Sequence, residues 1–329
     1  MSAPPLGSTL EAAAGRLAHL LTAGGDDLSD PTFSVLEFER DIELRPLVRT
    51  APPAEVWAVD GGQALVADAR CLQVLVTRAA RVRFVAGTCV LEDEGELRAH
   101  LLGGRDQRAA ALDALGLDLA PDTAVDVNLL RDRWEWDAAL RCVHEAEPGA
   151  FVLIDGDLQP DWRIPSSWLA GLFADAAAAG VVLAGVVKRS SLARGGAPLL
   201  GQLELEAEHD LGPRTMWWAP LARSRPDVFP GLQVLAARLD PDARFAFRVD
   251  LPADVDPEPA LQSLAALADD AAFPGYPYPL TVADRLAACP GWVRQEARMQ
   301  LDDLLDQAGV PLDVRERAFA DRHDLMERA

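Results

Sequence analysis

Lysine is almost absent from this 329-residue chain, and several functional motifs are missing as well. Lys188 is the only lysine, so the other 30 of the 31 basic residues are arginine. The four cysteines lie far apart and form no CxxC pair, which favours a reduced, cytoplasmic compartment. The five histidines form no HExxH motif, so a zinc site or a histidine-dependent triad is poorly supported.

Long apolar runs and nucleotide-binding loops are also missing. The longest apolar run covers residues 176–187, whereas a membrane span needs about 20 residues. The N-terminus lacks the basic start and the apolar core of a signal peptide. No GxxxxGK[ST] motif is present, which argues against ATP hydrolysis at a P-loop.

Acidic residues outnumber basic ones by 52 to 31, which gives a formal net charge of −21. This charge argues against a general polyanion-binding surface but leaves room for a local basic groove. Hydrophobic residues make up 50% of the chain, enough to bury a sizeable core.

Short apolar strands alternate with helical patterns after an initial β-rich block, which predicts an α/β domain with a mixed sheet flanked by helices. We expect an N-terminal helical arm over residues 1–50, a core over 51–290 and a C-terminal helical extension over 291–329. Residues 8–23 have helical spacing of apolar residues, and residues 92–104 also look helical.

Two stretches of the predicted core share one design. VWAVDGG (56–62) and FVLIDGD (151–157) are apolar strands that run into Asp-Gly, so we expect Asp60 and Asp155 at strand ends, where α/β folds place their sites. Paired carboxylates repel each other unless a cation lies between them, and Mg²⁺ and Mn²⁺ prefer oxygen ligands. The alternative is that each Asp-Gly pair only opens a turn.

Lys188 ends a third apolar strand, VVLAGVV, where a carboxylate would match the other two. A lysine beside a carboxylate cluster suits a phosphate oxygen. The alternative is an ordinary strand-end lysine whose stem packs on apolar surface. Because Lys188 is the only lysine, we favour the phosphate contact over the ordinary strand-end lysine.

Two helical acids are further candidates. Glu135 lies in a predicted long helix on a side made mostly of small residues, and Asp132 and Asp137 are its rivals. Asp284 follows a proline-rich loop, in the first turns of a predicted helix. Taken alone, Glu135 is a solvated acid and Asp284 a partner of the helix dipole.

These motifs resemble the NurA-domain nucleases. VDGG, a helix with RDRWE, IDGD, VVKRS and GYPYPLTVADR occur in the order that this family shows, over residues 57–287. Each motif is weak alone, but the ordered set is fairly specific. The family often has histidine at the position of Asp284.

The resemblance implies an RNase H-like core and a metal-dependent deoxyribonuclease. It further implies 5′→3′ exonuclease and single-strand endonuclease activity, end resection in double-strand break repair, a homodimer and a HerA-type hexameric ATPase as partner. The cofactor would be Mn²⁺, with Mg²⁺ as an alternative and two ions per site. The implied metal ligands are Asp60, Glu135, Asp155 and Asp284, and Lys188 would be a catalytic cation.

The acidic charge is compatible with DNA held in a local channel. We expect arginines to line that channel, with Arg189, Arg194 and Arg214 as candidates and Arg223 and Arg225 as additional ones. The competing hypothesis is a catalytically silent adaptor that docks on a ring ATPase. An RNase H-like hydrolase that acts on RNA is a third option.

Overall fold

The computed structural model describes residues 9–23, 25–31, 36–120, 122–159, 163–225 and 231–320. The helices in these residues are α1 (Leu10–Ala23), α2 (Arg105–Leu115), α3 (Val127–Glu145), α4 (Ser166–Ala179), α5 (Leu199–Asp210), α6 (Pro257–Ala265), α7 (Tyr278–Ala287), α8 (Gly291–Gln307) and α9 (Leu312–Phe319). None of these helices is long and apolar enough to cross a membrane.

The strands are β1 (Leu28–Ser29), β2 (Leu36–Phe38), β3 (Arg45–Pro46), β4 (Glu55–Asp68), β5 (Gln73–Val85), β6 (Thr88–Asp93), β7 (Arg98–Leu102), β8 (Phe151–Asp155), β9 (Val182–Val187), β10 (Ala193–Arg194), β11 (Ala197–Pro198), β12 (Trp217–Ser224), β13 (Leu232–Arg238) and β14 (Phe247–Pro252). Contacts divide the chain into two compact units. We call Pro53–Ala184 with Pro279–Ala329 the core unit, and Met1–Pro52 with Gly185–Tyr278 the antiparallel unit.

The core unit contains a mixed sheet in the order β6-β5-β4-β8, followed by the start of β9. Strand β4 pairs antiparallel with β5 and parallel with β8, and β5 pairs antiparallel with β6. Helix α3 packs on β4, β5 and β8, and α8 packs on β4. Numbered within this sheet, the strand order is 3-2-1-4-5, so the predicted RNase H-like core with a mixed sheet flanked by helices is confirmed.

The antiparallel unit contains strands in the order β2-β12-β13-β14-β9, and β3 also pairs with β12. A small second sheet joins β1, β10 and β11. Arg248, on β14, is buried with Asp250 and donates to its carboxylate at 2.7 Å. The sequence-based division at residues 50 and 290 differs from these units and stays a prediction. Residues 1–8 of the predicted N-terminal arm and residues 321–329 of the predicted C-terminal extension lie outside the described residues.

Three sequence-based expectations about local structure need correction. Strand β4 does not end at Asp60 but continues to Asp68, because Gly61 and Gly62 remain in the ladder opposite Ala79 and Arg78. Residues 92–104 are not helical: strand β7 forms there and pairs with β5. Asp284 lies in the second half of α7 rather than in its first turns.

Candidate metal centre

Three carboxylates of the core unit converge on one point. Asp60, Asp155 and Asp284 each offer an oxygen, and these oxygens lie within 4.8 Å of one another. Asp60 and Asp155 are half-buried, whereas Asp284 is exposed. Three of the four sequence-predicted ligands therefore come together, from the middle of β4, the end of β8 and helix α7.

The parallel pairing of β4 and β8 places two of these carboxylates side by side. Val59 pairs with Ile154 in this ladder, so the next residue on each strand is one of the two aspartates. The chain then turns at Gly156, where φ is +149°, a conformation that residues with a Cβ rarely adopt. The prediction of a strand that ends in Asp155 is thus confirmed.

The two glycines after Asp60 allow helices to approach β4 closely. A Cβ on Gly61 would lie 2.7 Å from Oε2 of Glu135, on helix α3. A Cβ on Gly62 would lie 1.7 Å from the carbonyl oxygen of Ala287, at the end of α7. Both glycines are therefore needed for close packing of the two helices that carry Glu135 and Asp284, rather than for a turn.

Glu135 is not one of the three converging carboxylates but lies near them, since the charges of Asp60 and Asp155 act on it, and it is 6% exposed. Burial is the main reason that the pKa of Glu135 is raised well above its usual value, and the charge of Asp60 is the next cause. The charges of Asp132 and Asp155 raise this pKa further, whereas Arg131 lowers it. Negative charge is therefore concentrated here, as in a site that binds a cation.

The other acids of α3 are engaged differently. Asp137 accepts hydrogen bonds from Arg133 at 3.2 Å and from Arg141 at 3.0 Å, both one helical turn away. Asp132 accepts a hydrogen bond from Arg131 at 2.9 Å. Among the three acids, Glu135 is the buried one, so the geometry favours it over its two rivals. Sequence reasoning gave Arg131 no role, although its charge acts on Glu135.

We predict that Glu135→Gln raises the thermal stability of the metal-free protein at pH 8. A carboxyl group whose pKa is raised by folding binds protons more readily in the folded state. The free energy of unfolding therefore falls as the pH rises from 4.5, the ordinary pKa of a glutamate, through the raised pKa of the folded state. Glutamine removes this loss, so we expect an increase of at least about 2 °C at pH 8 in EDTA and almost none at pH 4.

The matched control is Glu147→Gln, which changes an exposed carboxyl group just beyond the same helix and should leave the melting temperature unchanged at both pH values. A lower melting temperature of Glu135→Gln at pH 8 would contradict the prediction, because it would mean that the ionised carboxylate stabilises the metal-free fold.

Lys188 lies in the antiparallel unit, directly after β9, and is exposed. Its Nζ is 5.1 Å from the ring centroid of Tyr276, which packs against Phe247 at 5.3 Å between ring centroids. This distance is within the range of a cation–π interaction. The end of the third apolar strand is confirmed, and the catalytic role of Lys188 stays a prediction.

The three arginines expected to bind DNA also lie in the antiparallel unit. Arg189 is exposed. Arg194 pairs with Glu206, and Arg214 pairs with Asp242. Two of the three guanidinium groups thus already have a carboxylate partner, and a DNA phosphate would have to compete with it.

The carboxylate group fits a hard divalent cation. Asp60, Asp155 and Asp284 supply only oxygen donors, which are the ligands that Mg²⁺ and Mn²⁺ prefer. The buried carboxyl group of Glu135 beside them has a pKa that a bound cation would lower. The donor set and the accumulated charge therefore both match a divalent metal ion.

Comparison with known proteins gives matches only among solved structures. No protein-family model matches this chain, and no curated protein matches its sequence. The crystal structure of the NurA nuclease from Sulfolobus solfataricus matches with a TM-score of 0.59 and 15% identity, over 91% of this chain and 95% of that one. This chain shares the fold of NurA.

A second NurA crystal structure agrees with this result. It matches with a TM-score of 0.52 and 9% identity, over 83% of this chain and 92% of that chain. At such low identities the match shows the fold alone, so the NurA resemblance inferred from the motifs is confirmed for the fold.

Proposed function

We propose that this chain is a metal-dependent nuclease that cleaves DNA at the group formed by Asp60, Glu135, Asp155 and Asp284. The observation that carries this proposal is the convergence of three carboxylate oxygens within 4.8 Å, beside a buried fourth carboxyl group, in a NurA-like fold. An adaptor that only docks on a partner has no need for such a concentration of negative charge.

Each carboxylate has a task in this proposal. Asp60 and Asp155 hold the metal from the rigid sheet, Asp284 completes the site from α7, and Glu135 contributes from α3. Mn²⁺ or Mg²⁺, as two ions per site, would supply charge that stabilises the attacking and leaving oxygens of a phosphodiester. The close helix packing at Gly61 and Gly62 keeps the ligands in position, since catalysis is sensitive to errors of about 1 Å.

The biological setting remains part of the proposal and comes from the family resemblance. The activity would be a 5′→3′ exonuclease and single-strand endonuclease in end resection at double-strand breaks. The protein would act as a homodimer with a HerA-type hexameric ATPase. Light scattering of the purified chain and co-purification with that ATPase test these two associations.

The deciding experiment is a cleavage assay of the purified chain on labelled single-stranded and double-stranded DNA, with RNA of the same sequence alongside. Each substrate is incubated with Mn²⁺, Mg²⁺ or EDTA. We expect cleavage of DNA in Mn²⁺ and none in EDTA. Absence of cleavage with every metal, together with retained binding to the ATPase, would favour the adaptor. Cleavage of RNA alone would favour the third option.

We also propose that Lys188 is the catalytic cation, and predict that Lys188→Arg lowers the cleavage rate about 10²-fold, as expected for loss of one positioned electrostatic group. Arginine also packs on aromatic rings, so the contact with Tyr276 and the fold should survive. Its planar group is wider than an ammonium and keeps its proton near neutral pH. The measurement is the rate in Mn²⁺ at saturating DNA, and a wild-type rate would remove Lys188 from the chemistry.

A further inference from the structure

A basic cavity of about 540 Å³ lies in the core unit, where α8 and the end of α9 face the end of β4. Three arginines line it: Arg70 from the turn after β4, and Arg294 and Arg298 from α8. Asp68 is the acidic residue among the lining residues. In a chain with a net charge of −21, three guanidinium groups around one cavity are a strong local departure from the average.

Two of the three guanidinium groups of this cavity remain available to a ligand, whereas Arg298 is already paired with Asp302 and a phosphate would have to compete with that carboxylate. The carboxylate of Asp68 accepts hydrogen bonds from the backbone N–H of Arg70 at 2.7 Å and from Nε2 of Gln73 at 3.2 Å, so it is used within its own turn. Arg70 and Arg294 are exposed, and within the described residues neither has a carboxylate within ion-pair distance.

Arg298 is held in place by two neighbours. Its Nε donates to Asp302 at 3.0 Å, and its guanidinium lies 5.2 Å from the ring centroid of Phe319, which also lines the cavity. One side of this cavity therefore joins a fixed guanidinium to an aromatic ring, a combination that suits the phosphates and bases of a nucleic acid.

The turn that carries Arg70 is built around an unusual backbone conformation. Arg70 has φ of +65°, which is uncommon for a residue with a Cβ and costs free energy. Two hydrogen bonds stabilise this turn: the backbone N–H of Arg70 donates to the carboxylate of Asp68, and the N–H of Ala69 donates to the carbonyl oxygen of Leu72. This turn fixes the backbone position from which the exposed side chain of Arg70 reaches the cavity.

We propose that Arg70, Arg294 and Arg298 form a phosphate-binding site for the backbone of a nucleic-acid strand. Guanidinium groups pair with phosphate oxygens in a two-pronged geometry that an ammonium cannot match. The cavity lies five to eight residues beyond Asp60 on β4, or about 17–26 Å at the usual rise per strand residue. This inference rests on the proposed nuclease function, because it supplies the contact that holds the strand away from the carboxylate group.

The test measures binding without cleavage. Fluorescence anisotropy of a 5′-labelled single-stranded oligonucleotide is recorded in EDTA over a range of salt concentrations. The variant is the triple substitution Arg70→Gln, Arg294→Gln and Arg298→Gln. The control triple, Arg105→Gln, Arg108→Gln and Arg141→Gln, removes the same charge elsewhere in the core unit. Thermal unfolding of both variants checks that they are folded, and Arg294→Gln alone replaces the first triple if it is not.

We expect the cavity triple to bind at least tenfold more weakly at low salt, with the slope of log affinity against log salt reduced by about 2 for three lost phosphate contacts. The single variant Arg294→Gln should reduce that slope by about 0.7. The control triple should change the affinity less than threefold. Unchanged binding by the cavity triple, or an equal loss in both triples, would overturn the inference.

Two further measurements are needed. The first distinguishes a site for a nucleic-acid strand from a pocket for a single nucleotide, and the second tests the nuclease activity separately from phosphate binding. A free mononucleotide that competes as well as the oligonucleotide would show a nucleotide pocket and would overturn the strand assignment. Cleavage by the wild-type chain in Mn²⁺ is measured independently. Arginine-dependent binding without any cleavage would mean that the proposed function fails while the phosphate site stands.

Discussion

Replacement of Asp60 by asparagine is expected to reduce DNA cleavage about 10³-fold while leaving the fold intact. Asp60 belongs to the group of three carboxylates, and its charge also acts on Glu135. Loss of a group that merely supports a metal ligand already costs 10–100-fold, so loss of a ligand should cost more. Asparagine keeps the size of the side chain and its acceptor for the N–H of Gly61.

The same substitution should not lower the stability of the metal-free protein. It removes one of several negative charges that repel each other when no cation is bound. We therefore expect an unchanged or higher melting temperature in EDTA, and a smaller gain in melting temperature when Mn²⁺ is added. Opposite signs for activity and stability are typical of a residue kept for function rather than for folding.

The control is Asp175→Asn, which removes an exposed carboxylate on α4 that bonds to His144 at 3.1 Å. Asp175→Asn makes the same change of side chain and charge as Asp60→Asn, and its cleavage rate should stay within twofold of wild type. If Asp60→Asn retained more than about a tenth of the wild-type rate, Asp60 would not be a metal ligand.

The sequence was informative about the carboxylates because each follows a distinct local pattern. An apolar strand that runs into Asp-Gly occurs twice, and the parallel pairing of β4 with β8 brings both aspartates together. The residues predicted a mixed sheet but not its strand order, in which β4, β5 and β6 follow each other as hairpins and helices then precede β8 and β9.

A close approach at a glycine after Asp60 could be expected from the sequence, but the elements that approach Gly61 and Gly62 could not. Asp-Gly-Gly is typical of a turn, yet the strand continues through it because both glycines stay paired with β5. The missing Cβ atoms instead leave room for α3 and α7. Strand β7 was also not predicted from the sequence. Its residues have weak local preference, and they form a strand because β5 offers a free edge for pairing.

The choice among the acids of α3 had a signal that sequence reasoning left unused. Arg133 and Arg141 stand four residues before and after Asp137, which is the spacing of ion pairs along a helix. That spacing identifies Asp137 as a residue engaged along its own helix. The burial of Glu135, in contrast, depends on the distance between α3 and β4, which only the folded structure defines.

Replacement of Gly62 by alanine should be among the most damaging single changes in this chain. The added Cβ would lie 1.7 Å from the carbonyl oxygen of Ala287 and 2.7 Å from its carbonyl carbon, and backbone atoms cannot rotate away as a side chain can. The end of α7 is also tied to β5, since Arg78 donates to the carbonyl oxygen of Leu286 at 3.4 Å. Helix α7 must then shift as a whole.

We expect this variant to lose about 3 kcal/mol of stability, which is the upper range for overpacking. We also expect its cleavage rate to fall at least about 10²-fold, because a shift of about 1 Å moves Asp284 away from Asp60 and Asp155. The matched control is Gly171→Ala in α4, where the new Cβ meets nothing within 4 Å. That change should be neutral or slightly stabilising, since alanine favours a helix.

A double substitution separates the two effects of the methyl group. If Gly62→Ala acts on cleavage by displacing Asp284, adding it to Asp284→Ala should reduce the remaining rate only slightly, because the carboxylate is already gone. The loss of stability should persist in full, since it arises from the contact with Ala287 and not from the carboxylate. A further 10²-fold fall in the rate of the double variant would instead mean that Gly62 positions something other than Asp284.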